Sequence, residues 1–270
     1  MKDLGGRVAV ITGAASGLGV GLAKAFASRG MKLVLADIDE RGVAAVAEAF
    51  RDDGIDAVGV AADVRDGASV EALADAAWSA FGAAHVVCNN AGVFTVGPQW
   101  EATEAQWRWV LDVNVMGVVH GVRSFVPRLI EQGDGGHIVN TASVGGLVAT
   151  PLIGPYGASK HAVVGLSKGL RADLALLEAP IGVTVVCPGA MSTAIVEHLR
   201  QRTEPGASEL VQWMLGRLQS TLDEGMDPDV AGALVAAAVE ADRFWVVPNG
   251  ASELDDLRHE LEELFAAPTR

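Results

Sequence analysis

Short apolar runs rich in Val, Ile, Leu and Ala recur along the chain. Each is followed by a longer stretch in which apolar residues return every three or four positions. The short runs are Val8–Thr12, Lys32–Ala36, Ala57–Ala61, His85–Asn89, His137–Thr141, Gly182–Cys187 and Phe244–Val247. Most are nearly continuous rather than alternating with polar residues, the pattern of strands covered on both faces. The stretches between them predict helices at Leu18–Arg29, Glu40–Arg51, Gly67–Phe81, Glu104–Glu131, Tyr156–Leu177 and Asp229–Ala241. Strand and helix in strict alternation imply parallel strands with right-handed crossovers, and so a doubly wound α/β sheet. No linker, low-complexity segment or internal repeat divides the 270 residues, which read as one domain.

Two segments break the rhythm. Residues 191–227 form an insertion holding Leu210, Val211, Trp213, Met214, Leu215 and Leu218. It reads either as a fixed pair of surface helices or as a mobile lid hinged at Pro205-Gly206 and Gly225. The tail, Ser252 to Phe265, sets Leu254, Leu257, Leu261, Leu264 and Phe265 at helical spacing. It reads as a helix packed on its own domain or docked on a neighbouring subunit.

Charge changes the picture by exclusion. With 20 basic and 34 acidic residues the net charge is −14, and no basic patch appears, so nucleic acid is not an expected partner. Glycine is frequent, 32 of 270 or about 12% against a usual ~7%, which points to tight turns and close contacts. Both cysteines, Cys88 and Cys187, sit in apolar runs, as buried thiols in a reducing compartment do. No apolar stretch reaches the ~18 residues of a membrane span, and no leader pattern precedes the first strand; the expectation is a soluble cytoplasmic protein.

The first strand runs into Thr12-Gly13-Ala14-Ala15-Ser16-Gly17-Leu18-Gly19 and then directly into a helix. Such a turn lets backbone N–H groups approach a pyrophosphate at the positive end of the helix dipole. Asp37, closing the second strand, completes the pattern, because its carboxylate can accept from both ribose hydroxyls of an adenosine and repels a 2′-phosphate. No Lys or Arg stands at Ser16 or Ile38 to offset that repulsion; Arg41 is the one nearby cation. The competing role for Asp37 is a helix N-cap.

The glycine spacing from Thr12 to Gly19 is joined by Asn89-Asn90-Ala91-Gly92, Asn114, Ser143, Tyr156-x-x-x-Lys160 and Pro188-Gly189. Together, in this order and at these intervals, they resemble the short-chain dehydrogenase/reductase family over about residues 5 to 250. The resemblance implies a Rossmann-type seven-stranded parallel sheet, a nicotinamide cofactor and a homodimer or homotetramer. It implies that Asp63 and Val64 lie against the adenine, and that Asn89, Asn90, Ala91 and Gly92 lie beside the adenosine ribose. It further implies that Thr193 meets the nicotinamide carboxamide and that Pro188 and Gly189 border the cofactor.

Tyr156 and Lys160, four apart at a helix start, project from one face. A free phenol titrates near 10, so working near neutral pH requires a drop of ~3 units, or about 4 kcal/mol. An ammonium at ~4 Å, at an effective dielectric of ~20, supplies about that much, and an oxidised nicotinamide adds to it. The pair beside NAD can therefore serve as a base. Ser143 ends the fifth strand, where ligands bind in open α/β sheets, and its hydroxyl can hold a substrate oxygen between itself and Tyr156; it also fits a simple turn cap. Asn114 lies in an apolar helix, where a lone amide must find partners. It reads as a structural hydrogen bond, or, as the resemblance implies, as the holder of a water linking Lys160 to solvent. The six histidines show no zinc spacing, and Ser143 is not in a hydrolase elbow.

The chain thus reads as an NAD-dependent dehydrogenase interconverting a secondary alcohol and a ketone. The family implies the oxidative direction. Candidate lining residues are Val144, Gly145, Leu147, Leu152, Met191, Trp213 and Met214, with Phe94 and Trp100 from the loop after strand four. They are mostly apolar and favour a neutral, cyclic or aromatic substrate. The alternatives are an NADPH-dependent ketone reductase and a non-catalytic NAD-sensing regulator on the same fold.

Overall fold

A computed structural model describes residues 3–193, 195–202 and 208–267. The apolar runs become β1 (Val8–Thr12), β2 (Lys32–Asp37), β3 (Ala57–Ala61), β4 (Val86–Asn89), β5 (Gly136–Thr141), β6 (Ile181–Val186) and β7 (Trp245–Val246). They pair in parallel in the order β3-β2-β1-β4-β5-β6-β7. Successive side chains of a strand point to opposite faces. Val8 and Val10 therefore enter one core while Ala9 and Ile11 enter the other, and the runs must be apolar throughout.

One core is closed by α3 (Gly67–Phe81), α5 (Gly117–Gln132) and α6 (Gly154–Leu176), through Leu73, Phe125 and Val163. The other is closed by α1 (Gly17–Ala27), α2 (Glu40–Asp52) and α9 (Pro228–Glu240), through Leu22, Phe26, Val43 and Val235. α1 and α9 meet backbone to backbone: a side chain on Gly21 would collide with the Pro228 carbonyl, and one on Gly232 with the Gly21 carbonyl. The strand order reverses beside β1, whose neighbours are β2 and β4. That switch point opens a crevice at the carboxyl ends of the strands, where open α/β sheets bind ligands.

Two elements differ from the sequence expectation. The long helix at Glu104–Glu131 is broken into α4 (Glu104–Leu111), a π-turn over Asp112–Met116, and α5. The Gly117 N–H donates to the Asp112 carbonyl, one residue farther back than in an α-helix. Apolar spacing is too coarse to register one extra residue. The last strand is only two residues long, because it lies at the sheet edge and Pro248 follows it with no N–H to donate. The tail does form a helix, α10 (Ala251–Phe265), in which no residue is fully buried and Leu257 is partly covered.

The insertion holds α7 (Ile195–Arg202) and α8 (Glu209–Asp223), with Met214 and Leu215 buried. Its two feet are tied together: Met191 bridges Met226, and the Met226 and Ser192 N–H groups donate to the Ala190 and Met226 carbonyls, both at 3.0 Å. Gly225 is pressed against the Met191 backbone, where a Cβ would stand 2.8 Å from its carbonyl carbon; this position is clamped rather than hinged. Pro205-Gly206 lies outside the described residues.

Candidate active site

The ends of β1 and β4 are stitched by one hydroxyl. Thr12 Oγ1 accepts from the Asn90 and Ala91 N–H groups at 2.9 and 3.1 Å and donates to the Cys88 carbonyl at 3.2 Å. Asn90 Nδ2 donates to the Thr12 carbonyl at 3.0 Å, and its Oδ1 accepts from Thr141 Oγ1 at 3.1 Å, which brings in the end of β5. The glycine turn rests on this floor. Gly13 has φ +66°, and a Cβ there would lie 2.8 Å from Ala91 Cα. A side chain on Gly19 would strike the Gly13 carbonyl. Ser16, the N-cap of α1, makes no side-chain capping bond, and no carboxylate stands in the first turn. The backbone donors of Ser16, Gly17, Leu18 and Gly19 thus form an uncapped, positively polarised helix end.

Asp37 faces this turn. Its Oδ2 accepts from the Ala15 N–H and its Oδ1 from the Asp39 N–H, both at 3.0 Å. The cap of α2 is Asp39, which accepts from the Gly42 N–H at 3.1 Å, so Asp37 is not an N-cap. Past β3, Asp63 is paired with Arg65 at 2.6 Å, and the guanidinium holds its carboxyl below the usual range. The Val64 side chain is buried in the core against Gly117. That of Asn89 is turned under α5, where its Nδ2 donates to Asn140 Oδ1 at 2.8 Å, and it takes no part in the crevice.

α6 presents Tyr156 and Lys160 one turn apart. Lys160 is buried; its Nζ donates to the Thr141 carbonyl at 2.8 Å and lies 5.6 Å from the Tyr156 ring centre. Burial pushes its pKa down to about 8. Burial likewise pushes the Tyr156 phenol up, opposed by its hydrogen bond with Ser143. Ser143 Oγ caps the Val144–Gly146 3-10 turn, accepting from the Gly145 N–H at 3.1 Å, and donates to the Pro188 carbonyl at 3.3 Å. Phe94 stacks on Tyr156 with ring centres 4.3 Å apart, at 53°. Asn114, in the π-turn, accepts from the Val93 N–H at 2.8 Å and donates to the Val93 carbonyl and to Ser159 Oγ, both at 2.9 Å.

The family model of short chain dehydrogenases matches residues 7–204. The chain belongs to the short-chain dehydrogenase family. A solved short-chain dehydrogenase/reductase from Burkholderia phymatum, in complex with NAD, is 42% identical, with a TM-score of 0.93 over 100% of this chain and 99% of that one. A "C alpha-dehydrogenase" of Sphingobium sp. is 35% identical over 99% of this chain and 87% of that protein. A "1-deoxy-11-beta-hydroxypentalenate dehydrogenase" of Streptomyces avermitilis is 37% identical over 89% and 84%. The chain is an oxidoreductase of this family.

Around the crevice of this short-chain dehydrogenase, the segment after β6 closes one side. The Pro188 carbonyl accepts from the Val144 N–H at 3.0 Å, and Thr193 Cγ2 lies 3.1 Å from where a Cβ on Gly17 would stand. Asn249, at φ +46°, holds this segment: its Oδ1 accepts from the Gly189 N–H at 3.2 Å, and its amide donates to the Ala190 carbonyl. The sequence reading missed Asn249, Thr141 and Ser159; only the Pro-Asn-Gly turn at 248–250 signalled the first. α8 covers the loop after β4, with Val211 3.7 Å from the Cβ position of Gly97. Of the expected lining, Leu147 and Met191 pack on the two cores. Trp213 is 57% exposed with Arg217 over its ring, and Trp100, 83% exposed, stands in solvent rather than as a wall. Among the described residues no three His, Cys, Asp or Glu side chains are grouped to hold a metal, and no helix is long and apolar enough to cross a membrane.

Proposed function

We propose that the protein is an NAD-dependent dehydrogenase that interconverts a neutral, hydrophobic cyclic or aromatic secondary alcohol and its ketone, with Tyr156 as general acid and base. The observation that carries this reading is the convergence of Ser143, Tyr156 and Lys160 at the strand ends, opposite an uncapped glycine turn. The residues fit NAD. The cradle of Gly13, Ser16, Gly17, Leu18 and Gly19 would hold the pyrophosphate, and Asp37 the adenosine ribose hydroxyls. Asp63 and Val64 would border the adenine, and Asn90, Ala91 and Gly92 the ribose next to it. Tyr156, Lys160, Pro188, Gly189 and Thr193 would surround the nicotinamide half. The related Burkholderia structure, described as an NAD complex, supports this assignment.

Bound there, the cofactor supplies the acceptor for hydride. Ser143 Oγ and the Tyr156 phenolate would then hold the substrate hydroxyl between them, and the phenolate takes its proton. The Lys160 ammonium favours the phenolate. Gly92 leaves an open position 3.4 Å from Lys160 Nζ and 3.5 Å from Asn114 Oδ1, which favours a water there to carry the proton outward. The Phe94 ring beside Tyr156 favours a flat apolar substrate. We place the enzyme in the cytoplasm as a homodimer or homotetramer.

The test is a panel of neutral benzylic, cyclic and open-chain secondary alcohols, with 2-hydroxy acids as charged controls. Each is offered with NAD or NADP, and the absorbance of reduced nicotinamide is followed. Turnover with NAD on a benzylic or cyclic alcohol is expected. Turnover only with NADP, or only on the hydroxy acids, would overturn the reading.

A further inference from the structure

The turn that follows β7 puts a side chain where the backbone would more readily take none. Asn249 has a left-handed φ of +46°, while Gly250 beside it has φ −112°. Glycine stands at 250 for space, since a Cβ there would lie 2.6 Å from Val247 Cγ1 and 2.8 Å from Val144 Cγ1. Position 249 is the reverse case: glycine would adopt its backbone freely, and an amide stands there instead. The bonds of that amide show its use. Asn249 Oδ1 accepts from the Gly189 N–H at 3.2 Å, and the Pro248 carbonyl shares the same N–H at 3.3 Å. Asn249 Nδ2 donates to the Ala190 carbonyl.

Residues 188–190 are also where other parts of the site are tied. The Ala190 carbonyl accepts from the Met226 N–H at 3.0 Å, so the foot of the insertion and Asn249 meet on one oxygen. The Pro188 carbonyl accepts from the Val144 N–H at 3.0 Å and from Ser143 Oγ at 3.3 Å. Farther along, Thr193 reaches the glycine turn at Gly17. The serine turn, the insertion and the phosphate cradle therefore all take their positions from this short stretch, and the Asn249 side chain holds its middle.

We propose that Asn249 is a positioning residue, which fixes residues 188–190 against the nicotinamide half of the cofactor and, through the Pro188 carbonyl, fixes Ser143. This rests on the NAD site assigned above. The pyrophosphate and adenosine ribose would be held by the glycine turn and Asp37, to which Asn249 makes no bond, so its effect should be confined to the nicotinamide half.

ADP-ribose, which is NAD without its nicotinamide, separates the two halves. Both ligands are titrated calorimetrically into wild type and into Asn249→Gly, which keeps the backbone conformation and removes both side-chain bonds. NAD should bind the variant about fivefold to tenfold more weakly, the worth of about one hydrogen bond, while ADP-ribose binds both proteins equally well. Asn249→Ala removes the same bonds and strains the backbone. It should lower the unfolding temperature further yet show the same selective loss of NAD. Equal weakening of both ligands in the two variants would make Asn249 a purely structural residue, and unchanged NAD binding would give it no part in the site; either result overturns the proposal. A wild type that bound neither ligand would instead remove the NAD site itself, and this role with it.

Discussion

His137 shows what full burial does to a single side chain. Its Nε2 lies 2.7 Å from Thr184 Oγ1, and that hydroxyl donates its one proton to the Arg243 carbonyl at 2.7 Å. The imidazole must therefore donate from Nε2, leaving Nδ1 bare and 3.8 Å from the Asp242 carboxylate. Burial pushes its pKa down to about 4. A folded value below the unfolded ~6.5 means that the unfolded chain binds the extra proton first, so stability is lost as pH falls from about 6.5 towards 4, by up to about 3 kcal/mol. Urea unfolding at both ends of that window should show a markedly smaller acid loss in His137→Gln than in wild type; parallel losses would count against it. Lys160 obeys the same logic with a different outcome. Its buried ammonium has one carbonyl partner, so Lys160→Met should raise the unfolding temperature of the cofactor-free protein while removing turnover. A lowered unfolding temperature would contradict this. Asp37 bears on cofactor choice: Asp37→Ala should weaken NAD and tighten NADP by relieving a like-charge contact worth a few kcal/mol, read by titrating both. A wild type that binds the two equally well would remove that role.

Elements were readable where one physical signal dominates. The seven strands form within one or two residues of the apolar runs; β1, β2, β4, β5 and β6 are covered on both faces, which leaves little choice of residue type, while the edge strands β3 and β7 are partly exposed. Asn114 stood out as polar in an apolar helix, but the π-turn around it did not, since it alters hydrogen-bond closure rather than composition. The site was legible at Gly13, Tyr156, Lys160 and Ser143, whose chemistry is local to their motifs. Thr141 and Ser159 were not, because they act through a backbone carbonyl and a bridging hydroxyl brought in by tertiary packing. The direction of the Asn89 side chain was not readable, because a side chain at a strand end can turn either way, and packing beneath Gly121 turns it inward. The insertion is still a candidate lid at the level of its helices. With its feet clamped at Met191 and Met226, closure would have to arise within α7 and α8. Hydrogen exchange should show greater protection of 195–202 and 209–223 when NAD and substrate are added, and unchanged protection would make these helices fixed cover.

At the scale of the molecule, the switch point between β1 and β4 gathers groups far apart in the chain: Asp37, the glycine turn, Ser143, Tyr156 and Thr193. Two opposing effects meet on one phenol. In the protein alone burial raises the Tyr156 pKa, while the proposed chemistry needs it lowered by Lys160 and a positive nicotinamide. Tyr156 is the only tyrosine in the chain, so tyrosinate absorbance reports it without interference. The decisive measurement is its titration with and without NAD. The account predicts an apparent pKa above the ordinary ~10 in the protein alone and at least ~2 units below it in the NAD complex. A value near or above 10 in the complex would mean that another group takes the proton.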